Sequence, residues 1–287
     1  MFAVQAFDTF LREARVPVRY DHPLAPYTTM KVGGPADFFI EPHDEDDLAR
    51  VLKAARECEV ATRILGSGAN LLVRDEGVRG AVIRLSRLKR RDGLHVQAGY
   101  NLTTLVKETA SEGLAGLECV AGVPATIGGA IRMNAGGRHG ETAGAVRYVD
   151  VMGPDGEIRR LKKAEVGFRY RGTALGDAIV IAAGFELVPD PKVRQRYDEI
   201  LGDKKRSQPL GSHNAGCMFK NPSGGHAGRI IDECGLKGER VGAAHVSRKH
   251  GNFIVNDGGA TAGDVLRLVE IIQSRVPVPL ELEVLVW

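Results

Sequence analysis

The residues Asn214, Ala215, Gly216, Cys217, Met218, Phe219, Lys220, Asn221 and Pro222 place a thiol beside a glycine, with a cation and a carboxamide close behind. Glycine lets the backbone turn sharply and expose the sulfur. Lys220 and Asn221 can then offer donors to an anionic group nearby. The same local pattern also suits a small buried hydrophobe, the usual fate of an unbridged cysteine. Two glycine-rich stretches add a second kind of chemistry. Gly66, Ser67, Gly68, Ala69 and Asn70 follow an apolar run, and Gly122, Pro124, Gly128, Gly129 and Asn134 lie in another cluster. Neither carries the Lys-Ser/Thr pair of a P-loop. The first also fails as a dinucleotide fingerprint, because Leu71, Leu72 and Val73 continue as an extended run where a helix should open. Such turns can hold a pyrophosphate on backbone N–H groups alone, or they can serve only as tight turns.

Tyr170 and Arg171 put a cation beside an aromatic ring, suited to clamping a carboxylate or to standing at a rim. Glu281 and Glu283 share one face of an alternating C-terminal segment, a face that solvent could equally cover. The eight histidines contain no His-Glu-x-x-His, and His245 and His250 do not share a helical face, so no metal set is expected. A Gly-x-Ser-x-Gly elbow is also missing, which argues against a serine hydrolase.

The bulk composition fits a soluble globular protein of 287 residues, 43% hydrophobic and 26% charged. A formal net charge of +3 suits small anionic ligands better than a nucleic acid. The basic triplets Lys89-Arg90-Arg91 and Lys204-Lys205-Arg206 read as solvated loop charges, the second close to Cys217 in sequence. Cys58, Cys119, Cys217 and Cys234 show neither zinc spacing nor a disulfide framework, pointing to a reducing compartment. Charges appear early in the chain and no apolar run reaches membrane length, so a cytoplasmic protein with no membrane insertion is expected.

These residues need positioning elements. Helices are expected over 4–14, 44–58, 101–112, 193–201, 228–234 and 261–272. The 44–58 helix has acids in its first turn, Asn101 is a cap, and Thr261 with Asp264 forms a capping box. Strands are expected over 36–40, 62–65, 81–85, 95–98, 146–152, 179–188, 253–255 and 280–287, with 36–65 forming a βαβ unit. The fold class is α+β with mixed sheets, and Pro189 and Pro191 mark a boundary.

Taken in order, residues 31–34, 66–72, 121–137, 167–171, 216–222, 246–255 and 280–284 resemble the UDP-N-acetylenolpyruvoylglucosamine reductase family, over nearly the whole chain from about Pro23. The resemblance implies an FAD-binding fold of the vanillyl-alcohol oxidase type in two subdomains, 1–85 (joined by 280–287) and 86–200, followed by an α+β substrate domain, 201–279. It implies a reductase of peptidoglycan precursor synthesis that converts the enolpyruvyl ether of UDP-N-acetylglucosamine to UDP-N-acetylmuramate. NADPH would reduce bound FAD, and flavin N5 would pass hydride to the substrate. Gly66, Ser67, Gly68, Ala69, Asn70, Gly122, Pro124, Gly128, Gly129 and Asn134 would hold FAD. Tyr170, Lys205, Lys220 and Asn221 would hold the substrate. Arg171 and a protonated Glu283 would stabilise the enol, and Cys217 would protonate its carbon.

The family commonly has serine where this chain has Cys217. The short connector from Arg171 to Lys205 resembles the subtype lacking a tyrosine lid loop. A monomer or weak oligomer is expected. The alternatives are another flavin oxidoreductase of the same fold acting on a different small substrate, and a non-catalytic nucleotide-binding protein.

Overall fold

The computed structural model describes residues 2–287. They fall into two compact units, each assembled from separated stretches of chain. Met1, the first residue of the first expected subdomain, lies outside the described residues.

The first unit comprises the described residues up to Tyr20 with Asp37–Gly66 and Arg79–Gly202. Its helix Glu45–Glu57 starts where Asp44 accepts the N–H of Asp47 at 2.8 Å, and it buries Leu48, Val51, Ala54 and Ala55. A four-stranded sheet runs in the order Val18–Pro23, Pro35–Ile40, Val78–Arg84, Thr62–Leu65. Both strands of the expected βαβ unit belong to this sheet. Pro35–Ile40 and Thr62–Leu65 are not neighbours, because Val78–Arg84 lies between them, parallel to Thr62–Leu65. Alternating burial within each segment cannot tell which strands become neighbours.

A five-stranded antiparallel sheet follows, ordered Ile158–Lys162, Val146–Met152, Ile179–Phe185, His95–Gln97, Arg91–Asp92. The strand expected over 179–188 ends at Phe185, and Val188–Pro189 pairs instead with Leu114–Ala115. Helix Leu102–Ser111 begins at Asn101, whose side chain accepts from Thr104 N–H, as the cap pattern requires. One apolar core joins these layers through Phe7, Leu11, Leu48, Ile83, Val96, Leu105, Ile127, Val149 and Ile181. Burying each such side chain contributes about 1.5–3 kcal/mol.

The second unit comprises Asp21–Ala36, Ser67–Val78 and Asp203–Trp287. Its antiparallel sheet is ordered His213–Asn214, Ile254–Asn256, Ala244–Val246, Arg240–Val241. Helix Ala262–Arg275 packs Val265, Leu268, Val269 and Ile272 into the core, and the Thr261–Asp264 capping box forms. Asp75 reinforces that start by accepting the N–H groups of Ala262 at 2.9 Å and Gly263 at 3.0 Å. The alternating C-terminal segment is a strand only at Leu285–Val286, which pairs in parallel with Leu71–Leu72.

Candidate active site

In the second unit, the Cys217 segment is laid out by the Asn214 side chain and by main-chain hydrogen bonds. Asn214 accepts the N–H of Gly216 at 2.9 Å, which turns the chain, and Gly216 adopts φ +77. Such a backbone favours glycine, and the half-buried Cys217 follows at once. Met218 and Phe219 are buried. The N–H of Glu283 donates to Met218 O at 2.8 Å, and that of Lys220 donates to Glu281 O at 2.8 Å. A single antiparallel bridge joins Phe219 to Leu282. The fold therefore sets the residue after Cys217 against Glu283. Neither helical nor strand periodicity could show this pairing.

The 67–70 loop reaches the same place. Asn70 donates from its side chain to Glu283 O at 3.1 Å, and its own carbonyl accepts from Leu285 N–H at 3.1 Å. Thr29 ties the loop to the strand before Cys217, donating from its hydroxyl to Asn214 O at 2.6 Å and from its backbone N–H to Gly68 O at 3.1 Å. Gly68 has φ +63, and a Cβ there would stand 2.3 Å from Tyr27 O, so only glycine fits. Ser67 and Ala69 are half-buried in the loop.

The residues expected to hold a substrate differ in how far the protein already engages them. Lys220 is ion-paired with the exposed Glu281. A surface pair of this kind contributes about 0–1 kcal/mol and gives way readily to a better anion. Asn221 is exposed, and its carboxamide oxygen accepts from Ala227 N–H at 3.1 Å, supporting the start of helix Ala227–Glu233. Lys205 is exposed on helix Val193–Ser207, which continues beyond the expected end at 201. Its carbonyl accepts from Lys249.

In the first unit, Gly66 ends strand Thr62–Leu65 and packs on Thr126, whose hydroxyl lies 2.7 Å from where a Cβ would stand. The two glycine-rich stretches thus meet at this point. Thr126 caps a short helix, Ile127–Arg132, within the second glycine-rich stretch. Gly128 is taken up by the protein itself: its N–H donates to Ala98 O at 2.8 Å, and a Cβ would stand 3.0 Å from the Ala98 Cβ. Gly129 has room, since a Cβ would meet only the Thr126 hydroxyl at 3.4 Å. Gly122 turns at φ +75, and Pro124 is exposed.

Asn134 is 1% exposed. It donates to Glu141 at 2.7 Å and to Arg169 O at 3.2 Å, and it accepts from Ala143 N–H at 3.1 Å. Its two amide hydrogens are thus engaged within the protein, so a direct hydrogen bond from it to a cofactor is not what the geometry supports. It secures the turn that carries Arg171 instead. That turn is a two-residue hairpin: Arg169 and Gly172 exchange backbone hydrogen bonds of 2.9 and 3.1 Å, with Tyr170 and Arg171 at the tip. Arg171 has φ +56, a conformation that costs free energy for any residue with a Cβ, and its guanidinium stands 4.8 Å from the exposed Tyr170 ring.

Comparison with known proteins fits this geometry. Residues 208–287 match the model for the C-terminal domain of UDP-N-acetylenolpyruvoylglucosamine reductase, and residues 36–162 match an FAD-binding domain. The chain is 43% identical over 275 residues to UDP-N-acetylenolpyruvoylglucosamine reductase of Heliobacterium modesticaldum, covering 92% of this chain and 88% of the relative. The chain belongs to the UDP-N-acetylenolpyruvoylglucosamine reductase family.

A second relative within this reductase family, from Symbiobacterium thermophilum, is also 43% identical, across 94% of this chain and 92% of its own. The crystal structure of the Thermus caldophilus reductase superposes with a TM-score of 0.85 at 44% identity, covering 95% of this chain and 99% of that one. Phl p 4.0202, a glucose dehydrogenase, shares the fold at 18% identity and TM-score 0.51, covering 67% of this chain and 44% of that one. The expected α+β class and FAD-binding fold therefore hold. Beside Gly66 and Thr126, a Cβ at Gly129 would meet nothing nearer than the Thr126 hydroxyl at 3.4 Å, and that room fits a cofactor such as FAD. Among the described residues, no helix is long and apolar enough to cross a membrane. The polar residue that sequence reasoning missed is Asn252, which is buried and hydrogen-bonded to Phe219. Its only sequence signal is its place within the 246–255 stretch.

Proposed function

We propose that this family member is the FAD-dependent reductase that converts the enolpyruvyl ether of UDP-N-acetylglucosamine to UDP-N-acetylmuramate in peptidoglycan precursor synthesis, with NADPH as reductant. The observation that carries the reading is the backbone pairing of Met218 with Glu283. It brings the main chain of Glu283 beside the residue that follows the Cys217 thiol, which suits a substrate that must be both polarised and protonated. Gly66, Ser67, Gly68, Ala69, Asn70, Gly122, Pro124 and Gly129 are assigned to FAD, with Gly128 and Asn134 supporting them from behind. When bound, FAD supplies hydride transfer from NADPH to the methylene carbon of the enolpyruvyl group. The protein must then stabilise the charge that develops in the substrate. Arg171 offers a permanent cation and Glu283, protonated, a hydrogen-bond donor; donors fixed in advance need no reorganisation at the moment of reaction. Cys217 holds the proton destined for the enol carbon. Tyr170, Lys205, Lys220 and Asn221 are assigned to the UDP-sugar.

In this reading residues 1–85 and 86–200 form the flavin subdomains, 280–287 returns to the first, and 201–279 is the substrate domain. A cytoplasmic location and a monomer or weak oligomer go with it. The test is NADPH oxidation by purified, flavin-loaded protein with and without the enolpyruvyl ether. Oxidation that depends on the ether, with UDP-N-acetylmuramate formed, is expected. A yellow protein whose flavin NADPH reduces, but which the ether leaves reduced, would instead be a flavin oxidoreductase acting on another substrate.

A further inference from the structure

Asn252 does for the Cys217 segment what a neighbouring strand would do. Its Oδ1 accepts the N–H of Phe219 at 2.9 Å, and its Nδ2 donates to Phe219 O at 2.7 Å. Its backbone carbonyl accepts the N–H of Met218 at 2.9 Å. With Glu283 N–H on Met218 O, every backbone N–H and C=O of Met218 and Phe219 is engaged, three of the four by Asn252. A carboxamide exchanging both hydrogen bonds with one residue reproduces the donor and acceptor of a peptide group. Asn252 is itself held, because its N–H donates to His250 Nδ1 at 3.2 Å and its side chain is 2% exposed. The two residues after Cys217 are thus fixed on both edges, Asn252 on one and the Leu282–Glu283 segment on the other.

We propose that Asn252 is a positioning residue for the Cys217 thiol, holding the segment so that the sulfur meets the carbon it protonates. This rests on the reading of Cys217 as the proton donor. Displacing a reacting group by an ångström costs on the order of 100-fold in rate, and buried polar groups deprived of partners drive such shifts.

A double-mutant cycle on flavin-loaded protein, read by rapid mixing, tests this. Asn252→Ala is expected to leave flavin reduction by NADPH within about 3-fold of wild type and to slow reoxidation by the enolpyruvyl ether by about 100-fold, with substrate affinity little changed. In a Cys217→Ala background the same change should add less than about 3-fold, because residues acting through one another are not additive. A full further slowing in that background, or equal slowing of both half-reactions, overturns the proposal. Wild-type reoxidation in Cys217→Ala alone overturns the reading of Cys217 itself, a distinct result. Should Asn252→Ala not retain flavin, Asn252→Asp enters the same cycle with the same expectation. It keeps the shape and the Oδ1 acceptor but sets an oxygen against Phe219 O.

Discussion

The backbone N–H of Glu283 donates to the carbonyl oxygen of Met218 at 2.8 Å, and the Asn70 side chain donates to the carbonyl of Glu283 at 3.1 Å. Glu283 is therefore held by the residue following Cys217 and by the glycine-rich loop assigned to FAD. The main chain at Glu283 is thus fixed by bonds that a change of its side chain leaves intact.

Glu283→Ala, which removes the donor and leaves those main-chain bonds, should accordingly fold and bind flavin normally. Losing a preorganised donor to the transition state costs roughly 3–4 kcal/mol, so turnover should fall by two to three orders of magnitude with substrate affinity little altered. Stopped-flow measurement of the two half-reactions checks this. Reduction by NADPH should be unchanged, and a slowed reduction would put Glu283 in the wrong half-reaction.

Arg171 occupies a left-handed backbone conformation, φ +56, at the tip of its hairpin. Arg171→Gly keeps that backbone and removes the guanidinium. Glycine relieves the conformational cost while adding freedom to the unfolded chain, effects of about 1 kcal/mol each and opposite in sign. Thermal unfolding should show stability within about 1 kcal/mol of wild type, while turnover should be nearly lost. A folded variant with ordinary turnover would remove Arg171 from the chemistry.

Cys217→Ala should keep flavin reduction and lose on the order of 100- to 10,000-fold in product formation, the usual contribution of a general acid. Cys217→Ser should retain substantial activity through its hydroxyl. A cysteine thiol ordinarily ionises near pH ~8.5 and the thiolate cannot donate, so the wild type should show an alkaline limb that moves upward in Cys217→Ser. Alkylating reagents should inactivate the wild type, with substrate protecting, and spare the serine variant. Turnover of Cys217→Ala near wild type would make the sulfur a packing atom.

Gly129→Val should yield folded protein with little FAD, because the protein leaves room at that Cβ and the assigned cofactor would not. Gly68→Val should instead fail to fold stably, since its Cβ would collide with Tyr27 O at 2.3 Å. Flavin absorbance per folded protein separates the two. Full occupancy in Gly129→Val would refute that cofactor contact.

Burial, and then the nearby Lys237 cation, hold the His250 pKa below its ordinary value. The unfolded chain therefore binds the proton more readily, and this group's contribution to stability is lost as pH falls from about 6.5 toward the lower folded pKa. Protonation would also remove the Nδ1 acceptor used by Asn252 N–H. Denaturant titrations from pH 7.5 to 5 should show declining stability, with a flatter profile in His250→Gln. Equal slopes would mean that other groups set the dependence.

The sequence by itself determined what rests on neighbours within about four residues. Asn101 and Thr261 cap their helices where their types and positions indicate, because a cap acts on N–H groups two or three residues ahead. The apolar spacing of Val265, Leu268, Val269 and Ile272 likewise announced a buried helix face. Cys217, Arg171 and Glu283 could be given roles only through the ordered set of motifs that the family shares. Tertiary structure alone decided how segments far apart in the chain pair. Asn70 reaches Glu283 across 213 positions, Asn252 closes the edge of Met218–Phe219, and Val78–Arg84 enters between the two strands of the 36–65 unit. It also buried Asn134, which the family resemblance had linked to FAD, against the backbone of the Arg171 hairpin. A local pattern states that a donor needs a partner. Only the folded chain supplies that partner, because long-range pairing is settled by which buried groups must be satisfied together.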